Sequence, residues 1–470
     1  GTRVFGTNSC LSNPGSFLTA LLMISRSRLI LLLTLLWTIL FATARHPIIA
    51  DEIAPLPPPS VFLPLHEVGE EWGEDEYAPV IAFGDIDGDG RDEFAVSRRA
   101  TTGPRILVFD DATAGFALLW SFGEGWGVAS WGTALAFGNV DDDPAEELAI
   151  TRIAAVNERV WVVDDAAAGF VFLARFGMDW PDTVSAVGAA FGDIDGDGRG
   201  EFGVITDTTE SDRVHVFDDA PAGFAPLWNG DATWGAASVA TGIAFGDVDG
   251  DGFDELALTR KHDINARLFL YDDAAPSTAQ AFGPLWQYGE GWGPGSWATA
   301  VAFGNVDDDP AEEIGLTRQA TLNERAYVFD DAAAGFATLQ TFGESWAANA
   351  WATAIAFGDV DSDGRDEVAL SRVATINARV YVHDDAAPGA DRSAFKLLWS
   401  GGAEWPGEMY ATAVAFGNVD VNPEMELGLG RFAAEGPRAY VLERGWAVGL
   451  PYVSNKGKVI KPITVSFRDR

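Results

Sequence analysis

The sequence predicts an all-β fold, a seven-bladed β-propeller of four-stranded blades closed by an N-terminal strand that completes blade 7. Three observations predict it. The first is a unit repeated seven times. Phe-Gly leads into an acidic cluster at 83–84, 137–138, 191–192, 245–246, 303–304, 357–358 and 416–417, at spacings of 54, 54, 54, 58, 54 and 59 residues. Other positions keep the same phase: Trp stands eleven residues before each Phe, Glu ten residues after it, and Arg twelve residues after that Glu. Second, each unit reads as four short strands, in repeat 6 at 352–358, 367–372, 379–385 and 395–400, broken by Gly, Asp and Pro clusters. Units of that length with four strands each fit blades set around a channel. Third, repeat 7 lacks a last strand, and "FLPLHEVGEEWG" (62–73), ahead of repeat 1, aligns without a gap on "FALLWSFGEGWG" (116–127). That strand is expected to pair with repeat 7 and remove an open sheet edge.

Around this core the chain divides into five parts. Residues 1–22 read as upstream read-through and 23–44 as a secretory signal peptide, with Arg26 and Arg28, an apolar stretch at 29–42 and small residues at 42–44. Residues 45–60 form a Pro-rich linker, 61–449 the propeller and 450–470 a basic tail, either disordered or the first strand of something further. Cleavage near Ala44 makes the protein secreted, with no membrane insertion of the mature chain; an uncleaved anchor is the alternative. The formal charge of the 470 residues is -39, and loss of Arg3, Arg26 and Arg28 takes it to -39 - 3 = -42. Such a surface excludes nucleic acid and anionic membranes as partners. The one cysteine, Cys10, precedes the cleavage point, so packing or metal must stabilise the fold.

The acidic clusters are not EF-hands. Counting from Asp85, position 12 is Val96, and both flanks are strands. The ligand run closes at position 9 instead. It offers Asp85, Asp87, Asp89, the Arg91 carbonyl and Glu93 in repeat 1, and Asp193, Asp195, Asp197, Arg199 and Glu201 in repeat 3. Repeat 4 offers Asp247, Asp249, Asp251, Phe253 and Glu255; repeat 6 offers Asp359, Asp361, Asp363, Arg365 and Glu367. Hard oxygen donors without Cys or His favour Ca²⁺, in a structural role. These four loops have Gly at position 6. Three weaker loops carry Pro144, Pro310 and Pro423 there, with Asn139, Asp141, Asp143 and Glu147, then Asn305, Asp307, Asp309 and Glu313, then Asn418, Asp420, Asn422 and Glu426. About four good calcium sites are expected.

Phe-Gly leading into Asp-x-Asp-x-Asp-Gly-x-x-Glu, seven times over, resembles the FG-GAP (VCBS) repeats of integrin α-subunit propellers and secreted bacterial proteins. The resemblance covers about 61–443. It implies a calcium loop between the first two strands of each blade, a ligand surface on the opposite face, and a binding or adhesion scaffold. The "GAP" tripeptide and the rest of an integrin chain are absent, so integrin function does not carry over.

On the expected ligand face, five residues after each in-phase Trp, stand Tyr77, Trp131, Ser185, Val239, Trp297, Trp351 and Tyr410. The loops between strands 2 and 3 add Arg98, Arg152, Arg260, Arg318, Arg372 and Arg431, with Asp207 breaking the series. Arginine beside aromatic rings suits a glycan, or an extracellular protein, bound by a monomer; structural packing and pairing with nearby acids are the competing readings. The "FDDA" segments (109–112 and relatives) read as strand ends. The five His form no local motif, and Gly-x-Ser-x-Gly and His-Glu-x-x-His are missing. A non-enzymatic, lectin-like module is expected; the alternative is a polysaccharide hydrolase or lyase with a site assembled across blades.

Overall fold

The computed structural model describes residues 60–449 and 464–467, apart from 155–156, 210–211, 231–233, 236–237, 274–281 and 387–393. The signal segment 23–44, the residues before it and the linker up to 59 lie outside the described residues, as does the tail except 464–467. Every element among the described residues is a strand, and no helix there is long and apolar enough to cross a membrane.

Seven antiparallel sheets form, six of them meanders and the seventh completed by the N-terminal strand. Blade 1 is β2 (Ile81–Gly84), β3 (Glu93–Ser97), β4 (Ile106–Phe109) and β5 (Leu118–Phe122). Blade 2 runs from β6 (Gly132–Gly138) through β7 (Glu147–Arg152) and β8 (Val160–Val163) to β9 (Phe172–Phe176). Blades 3 to 6 begin at Ala186–Gly192, Val239–Gly246, Trp297–Gly304 and Trp351–Gly358. Blade 7 contains β26 (Tyr410–Gly417), β27 (Glu426–Phe432) and β28 (Ala439–Gly449), and its fourth strand is the N-terminal β1 (Ser60–Val68). β1 pairs antiparallel with β28, from Ser60 against Trp446 to Val68 against Ala439. The ring is therefore closed by the two ends of the repeat region, as the alignment of 62–73 predicts. In the basic tail, β29 (Thr464–Phe467) pairs with Trp446–Gly449 of β28 as an additional strand.

The Phe-Gly pair explains how neighbouring blades meet. First strands of successive blades lie side by side around the axis. A Cβ on Gly84 would fall 2.3 Å from Phe137 of the next blade; on Gly192, 2.2 Å from Phe245; on Gly417, 2.3 Å from Phe83, which closes the circle. Only glycine permits that approach. The hydrophobic core lies between blades. Ile106 and Val108 of blade 1, for example, pack with Leu135, Leu148, Ile150 and Trp161 of blade 2. Each such aliphatic side chain, fully buried, contributes ~1.5–3 kcal/mol. The turn before each fourth strand holds Phe116, Phe170, Phe224, Phe282, Phe336 or Phe395 at positive φ of 53–63°. Phe116, Phe224, Phe282 and Phe395 of this set are buried in the interblade core. In repeat 6 the turn takes Phe395 out of the predicted strand, which starts at Leu397.

A meander sends the loops between strands 1 and 2 and strands 3 and 4 to one face. The loops between strands 2 and 3 and the blade-to-blade connections go to the other. The first is the acidic-loop face and the second the cleft face.

Candidate metal centres and binding clefts

On the acidic-loop face the two loop classes have different backbones. Gly88 and Gly90 stand at φ +74° and +87°, and their counterparts in blades 3 and 4 match them; in blade 6, Ser362 and Gly364 take these places. This curls the loop around its first Asp. Asp85 Oδ1 accepts the N–H of Gly88 (2.8 Å) and of Asp89 (3.0 Å), and Oδ2 accepts that of Gly90 (2.8 Å). The proline loops stay at negative φ. There Asn139 donates its amide to the Asp143 carbonyl, and Asn305 to that of Asp309. Position 1 is thus a loop-closing residue in both classes. At position 7, Arg91, Arg199 and Arg365 turn their side chains to Asp111, Asp219 and Asp385.

The position-9 glutamates are the most unusual groups in the molecule. All seven are buried. One oxygen accepts the position-2 N–H, as in Ile86 to Glu93 (2.9 Å) and Val140 to Glu147 (2.7 Å). The other, Oε1, is buried without a hydrogen-bond partner in Glu93, Glu147, Glu201, Glu255, Glu313 and Glu367. Burial first, and the neighbouring aspartates with it, pushes Glu93, Glu255 and Glu367 up to about 9 and Glu147, Glu201, Glu313 and Glu426 up to about 8. A buried polar atom left unpaired costs roughly 1–3 kcal/mol. These donors are all hard oxygens converging beside that atom, so they fit a divalent cation such as Ca²⁺.

One carboxylate here escaped sequence reasoning. The first Asp of each "DDA" pair sits at the end of strand 3 and reaches the loop of its own blade. Oxygens of Asp141, Glu147 and Asp164 lie within 4.8 Å of one another, as do those of Asp195, Glu201 and Asp218. The second Asp makes the expected turn, Asp111 Oδ1 accepting the Ala114 N–H at 2.8 Å. The available signal was the doubled Asp itself, where one residue would suffice for a turn.

On the cleft face the arginines singled out as ligand contacts lie deep, stacked on the in-phase tryptophans. Arg152, Arg260, Arg318, Arg372 and Arg431 are buried, and Arg98 is mostly so. Their guanidiniums lie 4.4–5.2 Å above the in-phase tryptophans Trp126, Trp234, Trp292, Trp346 and Trp405, with Arg98 over Trp72 at 5.1 Å. Most of their remaining bonds go to backbone carbonyls, and Arg98 pairs with Glu76 at 2.6 Å. In blade 3 the register places Thr206, one residue before Asp207, in this position; His215 stacks on Trp180 at 5.5 Å, as Trp161, Phe269, Tyr327 and Tyr381 stack on their own tryptophans. The second arginine series is deeper. Arg159 donates to the carbonyls of Ala154, Val184, Asn157, Gly177 and Pro181 at 2.5–3.3 Å.

Above this floor, related clefts open between blades. One, about 700 Å³, contains Trp292, Arg318, Asn323, Glu324 and Tyr327. Its counterparts contain Trp126, Arg152, Asn157 and Trp161, and Trp346, Arg372, Asn377 and Tyr381. A fourth, about 580 Å³, spans blades 7, 1 and 2. It brings together Tyr77 and Trp131 of the varying aromatic series with Arg99 and Phe432. Tyr410 stacks on Phe432 at 5.1 Å, Phe432 meets Tyr77 at 5.1 Å, and Arg99 bridges Tyr77 (5.4 Å) and Trp131 (4.3 Å). Trp297 and Trp351 stand apart, Trp297 beneath Lys261 at 4.5 Å.

No protein-family model matches the chain, and no curated protein sequence does. Solved structures do. BBS1N, crystallised with ARL6DN, has a TM-score of 0.50 at 12% identity over 84% of this chain and 98% of its own. An Agrocybe aegerita lectin that recognises non-reducing terminal N-acetylglucosamine gives 0.45 at 10%, over 79% and 86%. The Bacillus licheniformis rhamnogalacturonan lyase PL11 gives 0.44 at 15%, over 81% and 75%. Identities this low speak to the fold alone. The chain folds as a seven-bladed β-propeller.

Proposed function

We propose that the protein is an exported, calcium-stabilised propeller of the FG-GAP type that binds carbohydrate without chemistry, through the cleft where blades 7, 1 and 2 meet. The observation that carries this reading is the aromatic and arginine ladder Tyr410–Phe432–Tyr77–Arg99–Trp131 along that cleft. Flat rings stack on the apolar faces of sugars, while Arg99 and the acids Glu74 and Asp75 at the rim supply donors and acceptors for hydroxyls. Ring closure makes this cleft unlike the other three, as a single specific site requires. Acid–base catalysis is disfavoured by where the displaced carboxyls are: among the described residues, those with a raised pKa belong to the acidic loops or the strand-3 ends, on the opposite face.

Calcium is supported by the unpaired buried Oε1 atoms, and export by the leader-like segment 23–44. The test is a glycan array probed with the 45–470 protein in millimolar calcium, alongside Trp131→Ala and Tyr77→Ala. Selective binding lost in both variants is expected. A blank array with a folded protein sinks the carbohydrate reading in favour of a protein partner, and turnover of a retained polysaccharide sinks the non-catalytic one.

A further inference from the structure

We propose that the proline-containing loops of blades 2 and 5 are also divalent-cation sites, each built on a carboxylate triad whose third member comes from the end of strand 3. The triads are Asp141, Glu147 and Asp164 in blade 2, and Asp307, Glu313 and Asp330 in blade 5. The inference rests on the calcium reading above and raises the number of sites beyond the four glycine loops.

The loop sequence argues against these sites, because Pro144 and Pro310 remove the position-6 N–H and Asn replaces the first Asp. The geometry removes that objection. In the glycine loops the position-6 N–H is used to hold the position-1 carboxylate, Gly90 to Asp85 at 2.8 Å. In the proline loops the Asn139 and Asn305 amides close the loop onto the position-5 carbonyl. Neither device touches the triad. Oxygens of Asp141, Glu147 and Asp164 converge within 4.8 Å, as their counterparts Asp195, Glu201 and Asp218 do in the glycine loop of blade 3. Blade 5 repeats the spacing, with Asp307, Glu313 and Asp330 at the offsets from Phe303 that Asp141, Glu147 and Asp164 have from Phe137.

A cluster of acids alone would say little. The independent sign is the glutamate. Glu147 and Glu313 are fully buried, each gives one oxygen to a backbone N–H (Val140, 2.7 Å; Val306, 2.6 Å), and each leaves Oε1 buried with no partner. A protein that buries a carboxylate ordinarily satisfies both oxygens. Three hard-oxygen ligands from two loops, with water completing the shell, suit Ca²⁺.

The experiment is equilibrium dialysis of the metal-stripped full-length protein against millimolar CaCl₂, with bound calcium counted by elemental mass spectrometry. At least six equivalents are expected, and D164N/D330N should bind two fewer. Six or more equivalents in the wild type with no loss in a folded double variant overturns the role of strand 3. Four or fewer in the wild type overturns the inference while leaving the glycine loops standing, and none overturns both readings. The wild-type count decides between four and six even if the double variant misfolds.

Discussion

Each blade buries a carboxylate at one end and a guanidinium at the other, and the two are provided for differently. On the cleft face the deep arginines, from Arg105 to Arg438, sit among backbone carbonyls. Arg159 alone reaches five of them, so its charge is met by the dipoles of the loops it ties together. On the acidic-loop face six of the seven glutamates have one oxygen bonded to backbone N–H and the other left over, and their carboxyls are displaced to about 8 or 9. Arginine stays protonated under any ordinary condition; a glutamate so placed does not stay ionised unaided. One end of the blade is complete as folded. The other is arranged for something further.

If the arginine end is complete, removing its centre should produce the largest effect on stability of any single substitution considered. Arg159→Met keeps the length but leaves up to five buried carbonyls unpaired, for a loss of roughly 3–4 kcal/mol in urea unfolding. Calcium should leave that loss unchanged, since the two ends of the blade are separate. A variant rescued by calcium would break the comparison.

The glutamate end should behave in the opposite way. Glu255→Gln is nearly isosteric with the neutral acid, the form favoured at pH 7 without metal because burial holds its pKa near 9. In EDTA the variant and wild type should therefore melt together. At about ten times Kd, calcium should stabilise the wild type by ~1.4 kcal/mol more per site than the variant. Chelation of four such sites would remove about 5–6 kcal/mol, comparable to the net stability of an ordinary domain. Equal destabilisation with and without calcium would make Glu255 a packing residue only.

The two ends were also unequally legible. Repeat phase, four strands per unit and closure by 62–73 could all be read because each is a regularity along the chain, and packing merely enforces it. The glycine after each Phe was visible, but not its reason, which lies in the Phe of the next blade. The reading of "FDDA" as a strand end misses the reach of Asp218, and of Asp164 in the related "VDDA", because the loop they approach is some twenty residues away in sequence. Arg152 and Arg318 looked like surface groups for a related reason. Whether an arginine stacks inward or faces water depends on a tryptophan from the preceding blade, here Trp126 or Trp292.

The smallest effect on stability separates the cleft face's structural floor from its working surface. Trp131 is half-buried and held by Arg99 at 4.3 Å, and Trp297 is held in the same way by Lys261 at 4.5 Å. Contacts of this kind at partly exposed rings are worth about 0.5–1 kcal/mol. Trp131→Ala and Trp297→Ala should therefore cost about 1 kcal/mol each and be hard to tell apart in a melt. They should differ in binding. Only Trp131 belongs to the continuous ladder with Tyr77 and Phe432. A glycan retained by wild type should be lost by Trp131→Ala, with affinity at least tenfold weaker by calorimetry, and kept by Trp297→Ala. Equal loss in both would mean that the aromatic ring around the axis binds as a whole and that closure confers no privileged site. Equal retention would move the ligand down into the repeated clefts, where Trp126, Trp292 and Trp346 stand over their arginines.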